Sequence, residues 1–191
     1  MAAMRIVQNT YPTGLVYPIG QLQDELRVDE DSEIVVLTSM LKAATSIAEQ
    51  HTNRVLLSST FTAYLDDLES LEVEIFKFPI TSIDTVKYYD TSGTLTTLTA
   101  NTDYFVDITS CPARVKFANA PSVQASIYNP IQINFTAGHA TVDAIDNGII
   151  AAIRIITGQL YEQRQNESNM SEASMNYDRL LNMYIKGSLW L

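Results

Sequence analysis

A single cysteine, Cys111, leaves this chain with no possible internal disulfide. Its core must therefore hold it together, and a reducing compartment is the simplest setting for it. Positive charge is also scarce: 12 lysines and arginines stand against 22 acids, for a formal net charge of −10. The bases are scattered singly, from Arg5 and Arg27 through Lys77 and Lys87 to Arg179 and Lys186. Tight phosphate binding needs clustered cations that displace counterions, so direct sequence-specific DNA recognition is not expected. An acidic surface suits a protein that must stay in solution or must not stick to DNA passing nearby. Long hydrophobic runs are missing too. The longest, near residues 149–153, is broken by Arg154, far short of the ~20 residues that a membrane helix needs. Met1-Ala2-Ala3-Met4-Arg5 lacks the apolar stretch of a targeting segment. The expectation is a soluble protein made in the cytoplasm, with no membrane partner.

Catalytic motifs are absent as well. No G-x-S-x-G elbow, P-loop, G-x-G-x-x-G or H-E-x-x-H occurs, and an enzyme needs some group to activate a nucleophile or move a proton. His51 and His139 are the only histidines. His51 ends an apolar helical stripe, where a packed or capping role accounts for it. Cys111 lies between Ser110 and Pro112 with no basic neighbour to lower its pKa. Asp66, Asp67, Glu69, Glu72 and Glu74 form the densest acid cluster, which a calcium site or a hydrolytic carboxylate pair would need. No calcium-loop motif accompanies them, and the alternation of Glu72 and Glu74 suits a solvated strand face. The reading is a non-enzyme with no catalytic residue, metal or cofactor.

What is present is a pattern of helices bracketing strands. Hydrophobic residues make up 46% of the 191, enough for an ordered core. A chain of this length buries roughly 70% of its unfolded surface. Residues 1–18, with Pro12, Gly14 and Pro18 among Tyr11, Val16 and Tyr17, read as an extended N-terminal arm. Residues 21–28 read as a short helix. Asp29-Glu30-Asp31-Ser32-Glu33 then offers caps and first-turn acids to a long helix. Its stripe is Ile34, Leu37, Leu41, Ala44 and Ala48, and it ends at Asn53, which tolerates a left-handed cap.

From Val55 to about Thr136 the period changes to two. Leu57, Phe61, Ala63 and Leu65 alternate with polar residues, as do Ala113, Val115 and Phe117, and then Ile131, Ile133 and Phe135. Thr91-Ser92-Gly93 reads as a hairpin turn. A second main helix is expected over about 143–165, with Ile145, Ile149, Ile153, Ile156 and Leu160 on one face. A polar loop or mobile segment follows to 176, then a short helix near 177–185. The chain ends Leu189-Trp190-Leu191, and a terminal tryptophan is either docked on its own fold or kept for a partner. The fold class expected is α+β: a helical bundle of two main amphipathic helices plus short N- and C-terminal helices, with an inserted antiparallel β-sheet or small sandwich. The divisions are arm 1–18, helical halves 19–54 and 141–165, β-rich insertion 55–140, and loop, short helix and tail 166–191.

These pieces, read in order, carry a resemblance. They are Leu22 to Val28 with Asp29, then Ala43-Ala44, Ile47, Glu49 and Thr52-Asn53-Arg54. Phe78-Pro79-Ile80, Val86-Lys87-Tyr88-Tyr89-Asp90, Gly93 and Asp103-Tyr104-Phe105-Val106-Asp107 follow. Arg114-Val115, Phe135-Thr136-Ala137-Gly138, Ala151-Ala152-Ile153, Tyr161-Glu162 and Arg164 complete the set. Over roughly residues 20–187 the chain resembles the long, strand-bearing branch of the bacteriophage head–tail connector (adaptor, or head-completion) family. It departs from that family in having Asn53 where glycine is common, and in lacking a proline before the helix from Asp143.

The resemblance implies a structural protein of the virion neck, made in the host cytoplasm. It implies a ring of identical subunits, twelve-fold to match the portal, which extends the DNA channel without specific DNA recognition. Portal protein on one side and a tail or neck protein on the other are the implied partners. By the same analogy Tyr177, Leu180, Leu181, Tyr184, Trp190 and Leu191 dock on the portal. The alternative is a β-sandwich binding module of the virion that takes carbohydrate or protein. A hydrolase built on the acids of 66–74 is the other rival.

Overall fold

The computed structural model describes residues 4–28, 31–124, 126–163 and 177–185. The chain forms two compact units and crosses between them three times: residues 1–12 and 58–138 build one, 13–57 and 139–191 the other.

Residues 58–138 hold period-two runs, and these pair as antiparallel strands. β1 (Met4–Gln8), β2 (Ser59–Leu65), β8 (Ile131–Ala137), β4 (Ile80–Tyr89) and β5 (Leu95–Thr97) form a five-stranded sheet in that spatial order. β3 (Glu72–Ile75), β7 (Ala113–Phe117) and β6 (Tyr104–Asp107) form a three-stranded sheet. Register follows the alternation. Ala113, Val115 and Phe117 are buried between exposed Arg114 and Lys116, while Val73 and Ile75 are buried between exposed Glu72 and Glu74. A slip of one residue would turn these apolar sets outward. In the larger sheet Phe61 is paired with Phe135, and their rings stack 5.4 Å apart between centroids. The hairpin after β4 turns at Gly93 (φ +82°). Asp90 fastens it by accepting the backbone N–H groups of Ser92 (2.8 Å) and Thr94 (3.0 Å).

The second unit is helical. α1 (Ile19–Leu26) ends at Arg27 in the left-handed region. α2 (Ile34–Thr52) buries Leu37, Leu41, Ala44, Ala48 and Thr52, a four-three-four-four spacing that keeps one face inward. Asn53 ends it at φ +54°, donating its N–H to the Glu49 carbonyl, as its tolerance of that conformation leads one to expect. Glu33, at the N-cap, makes no capping hydrogen bond with its side chain; its carboxylate instead accepts the Tyr161 hydroxyl. α3 (Asn147–Gln163) lays Ile149, Ala152, Ile153 and Ile156 against the same core. Its start lies four residues past the expected Asp143, because Val142–Ala144 forms a 3-10 turn and Ile145 is extended. Ile145 is nonetheless buried. Residues 177–182 make a last helical segment, α4.

The expected helical bundle with an inserted sheet is not what forms. Among the described residues eight strands in two antiparallel sheets organise the architecture, joined by helices of 8, 19 and 17 residues, the short α4 and two 3-10 turns. Nor is the sheet made from one inserted stretch, because the N-terminal Met4–Gln8 pairs with β2 from Leu65 to Phe61. An extended segment with Ile6 and Val7 satisfies its backbone groups on a sheet edge more completely than water-exposed coil can arrange among apolar side chains.

Phe135→Ala removes a fully buried ring and the stack on Phe61. It should cost about 3–5 kcal/mol, read as a lower urea midpoint for loss of the β-sheet signal. Phe61→Ala in the same background should cost less than it does alone.

Candidate docking surface

Leu180, Leu181 and Tyr184 recur at helical spacing, and the structure puts them against the helical core. Leu181 is fully buried, and Tyr177, Leu180 and Tyr184 pack partly buried beside it. The segment is pinned at several polar points. Arg54 donates from Nε to the Tyr184 carbonyl (3.0 Å) and from Nη1 to the Asp146 carboxylate (3.1 Å). Its guanidinium also sits 5.7 Å from the Tyr184 ring centroid, a cation–π contact. His51 Nε2 meets Asn182 Oδ1 at 2.9 Å, and its Nδ1 lies 3.8 Å from Asp178.

Two of these features follow from local backbone. The left-handed turn at Asn53 swings Arg54 off the helix axis, so the side chain leaves the end of α2 toward α4 and is only 8% exposed. Gly148, in the first turn of α3, makes room for the tyrosine. A Cβ there would overlap the Tyr184 hydroxyl and stand 2.8 Å from ring carbon Cε2. Neither Arg54 nor Gly148 is a candidate that spacing reveals, since their partners lie far along the chain.

Of the six residues expected to dock, Leu181 is wholly buried in the helical core. Tyr177, Leu180 and Tyr184 each keep part of their surface. Trp190 and Leu191 lie outside the described residues, as does the polar stretch from 164 to 176 that follows α3. Beside the polar Arg179 and Asn182, the exposed residues of the segment are Met183, 70% exposed, and Ile185, 38% exposed. Met183 and Ile185 are apolar, and the helical spacing did not single them out.

The remaining candidates stay apart. Cys111 is exposed with a free thiol. His139 is partly buried, and burial pushes its pKa below the ordinary imidazole value, with repulsion from Arg54 adding to this and Asp146 opposing it. Asp107 accepts hydrogen bonds from the Ser110 hydroxyl (2.7 Å), Arg114 (2.6 Å) and the Thr109 hydroxyl (2.8 Å). The Ser110 bond is the largest cause, and together they hold its carboxyl far below the usual carboxylate range. The five acids of 66–74 spread along a loop and β3. Among the described residues no group of three or more His, Cys, Asp or Glu side chains is gathered as a metal site, and no helix is long and apolar enough to cross a membrane.

Neither a family model nor a curated protein sequence matches the chain. Solved structures do match it. A chain in the virion of the native gene transfer agent (GTA) particle superposes with a TM-score of 0.78 at 21% identity, over 94% of both chains. A chain in the neck of the empty GTA particle, computed with C6 symmetry, gives 0.76 at 21% identity, also over 94% of both. One in the neck of the native GTA particle, computed with C12 symmetry, gives 0.71 at 18% identity over the same shares. At such identities the likeness is one of fold.

Gly148→Ala should drive Tyr184 from its seat. Hydrogen exchange across 177–185 should then speed up about tenfold or more, the equivalent of ~1.4 kcal/mol, while β2 and β8 keep their protection. The lowered pKa of His139 predicts a pH effect of known sign. Folding disfavours the protonated ring, so its contribution is complete above about pH 6.5 and is lost as the pH falls toward the lower folded value. His139→Asn should flatten that part of the stability–pH curve in urea titrations.

Proposed function

We propose that this protein is a structural subunit of the neck of a tailed, phage-like particle. In this reading identical copies close into a ring that surrounds the DNA path. The observation that carries it is the match along nearly the whole chain, at TM-scores up to 0.78, to chains from GTA neck and virion structures. A shared fold over 94% of both chains includes both units rather than one common module. The C6 and C12 symmetry of two of those neck structures supports a homo-oligomeric ring here. Such rings use head-to-tail contacts that close by rotation. The exposed apolar residues Val35 on α2 and Ile155 on α3 are of the kind that such contacts bury.

Portal docking is the finer part of the proposal. The segment 177–185 is fastened by Leu181 and Arg54 and turns Met183 and Ile185 outward. It thereby serves as a fixed base from which the tail, with Trp190 and Leu191, reaches the portal. A tail or further neck protein would sit on the opposite side of the ring. Excess acid, at a net −10, would keep passing DNA from adhering to the channel. The role is one of assembly, with no chemistry to perform.

Deleting the gene from its parent particle and imaging the lysate by electron microscopy tests the reading. Filled heads and separate tails should accumulate. Complete tailed particles would overturn the neck role and favour a binding module. Trp190→Ala should join heads less efficiently than wild type, and equal joining would remove the tail from portal docking.

A further inference from the structure

The β-rich unit has a groove that the neck reading leaves unused. It encloses about 750 Å³ and is lined by Met4 of β1, Leu65 at the end of β2, the 67–70 loop, and Glu72, Val73, Glu74 and Phe76. Successive side chains of a strand point to opposite faces. A groove touched by three consecutive residues of β3 therefore runs along the edge of that strand rather than over one face. β3 is the outer strand of the three-stranded sheet and β1 of the five-stranded one. Among the described residues each ends its sheet with a row of backbone groups that has no strand beyond it, the arrangement that accepts an added strand.

The floor is apolar, with Leu65, Leu68, Val73 and Phe76, and the lining carries four carboxylates (Asp67, Glu69, Glu72 and Glu74) and no lysine, arginine or histidine. Arg114 approaches Glu72 from β7 at 3.5 Å, itself held more closely by Asp107 at 2.6 Å. The rim thus stays acidic. We propose that this groove docks an extended segment of another polypeptide, one in which apolar residues alternate with lysine or arginine. The segment adds as a strand beside β3. Its apolar side chains cover Leu68, Val73 and Phe76, and its cations face Glu72 and Glu74. A second copy of the same edge does not fit, because it would set Glu72 and Glu74 of both chains side by side. This inference does not rest on the neck reading, and neither fails with the other.

The probe is a fluorescein-labelled peptide of alternating valine and lysine, titrated into the full-length protein and followed by anisotropy. It should bind at low salt and weaken roughly tenfold or more at 0.5 M NaCl. Glu74→Lys should weaken it by a similar factor, with unchanged circular dichroism showing an intact fold. A valine–glutamate peptide should not bind. A valine–lysine peptide with alternate backbone nitrogens methylated should lose binding, because it cannot complete the strand ladder. Absence of binding by the valine–lysine peptide would overturn the proposal. So would equal affinity for Glu74→Lys, or equal affinity for the methylated peptide. Sedimentation showing a wild-type dimer that Glu74→Lys dissolves would replace it with self-association.

Discussion

Arg54 is the constraint on which the helical unit depends. It leaves the end of α2 through a left-handed turn and reaches the start of α3 at Asp146 and the carbonyl of Tyr184. One guanidinium thus fixes three segments separated by 92 and 130 residues in sequence. A buried cation is tolerable only when its donors are met and its charge is balanced, so burial itself enforces the geometry. The planar fork suits this work. A lysine would supply one point charge and could not span a carbonyl, a carboxylate and a ring from a single position.

Fastening of this kind would serve the proposed docking role. A tail that must meet a partner cannot hang from a base that moves, because ordering the base would subtract from the binding free energy. With Leu181 sunk in the core and Tyr184 seated over Gly148, the segment would pay little ordering cost in the proposed docking. The β-rich unit answers a different demand. Its alternating strands form two sheets whose outer strands among the described residues include β1 and β3, and Glu72 and Glu74 stand exposed on β3.

The long helix was legible because its spacing leaves no alternative: Leu37, Leu41, Ala44 and Ala48 align only at a helical period, and Asn53 announced the left-handed stop. The hairpin at Gly93 and the strands around Val115 and Ile133 were legible for the equivalent reason at period two. β1 was not. Edge strands need show little alternation, and all of Met4–Gln8 but Arg5 is of intermediate exposure, so the segment read as an arm. Bracketing helices suggested a bundle with an insertion; the pairing of β1 with β2, which no local pattern encodes, undid that picture. Residues 177–185 were recognisable as amphipathic, but an apolar residue looks the same in sequence whether it awaits its own core or a partner. Leu181 is buried and Met183 exposed, and for that reason the sequence did not tell them apart.

By itself the sequence determined what depends on neighbours along the chain: the helical and extended periods, the left-handed turn at Asn53, the want of clustered cations, and the lack of any motif that activates a nucleophile. Tertiary structure decided what depends on residues far apart. It made Arg54 the centre of the helical unit, required Gly148 to lack a side chain, and assembled a groove from Met4 and the 65–76 stretch. The physical reason is range. Backbone dihedrals and side-chain periodicity are settled within a few residues, whereas burial, charge balance and free strand edges exist only once distant segments have met.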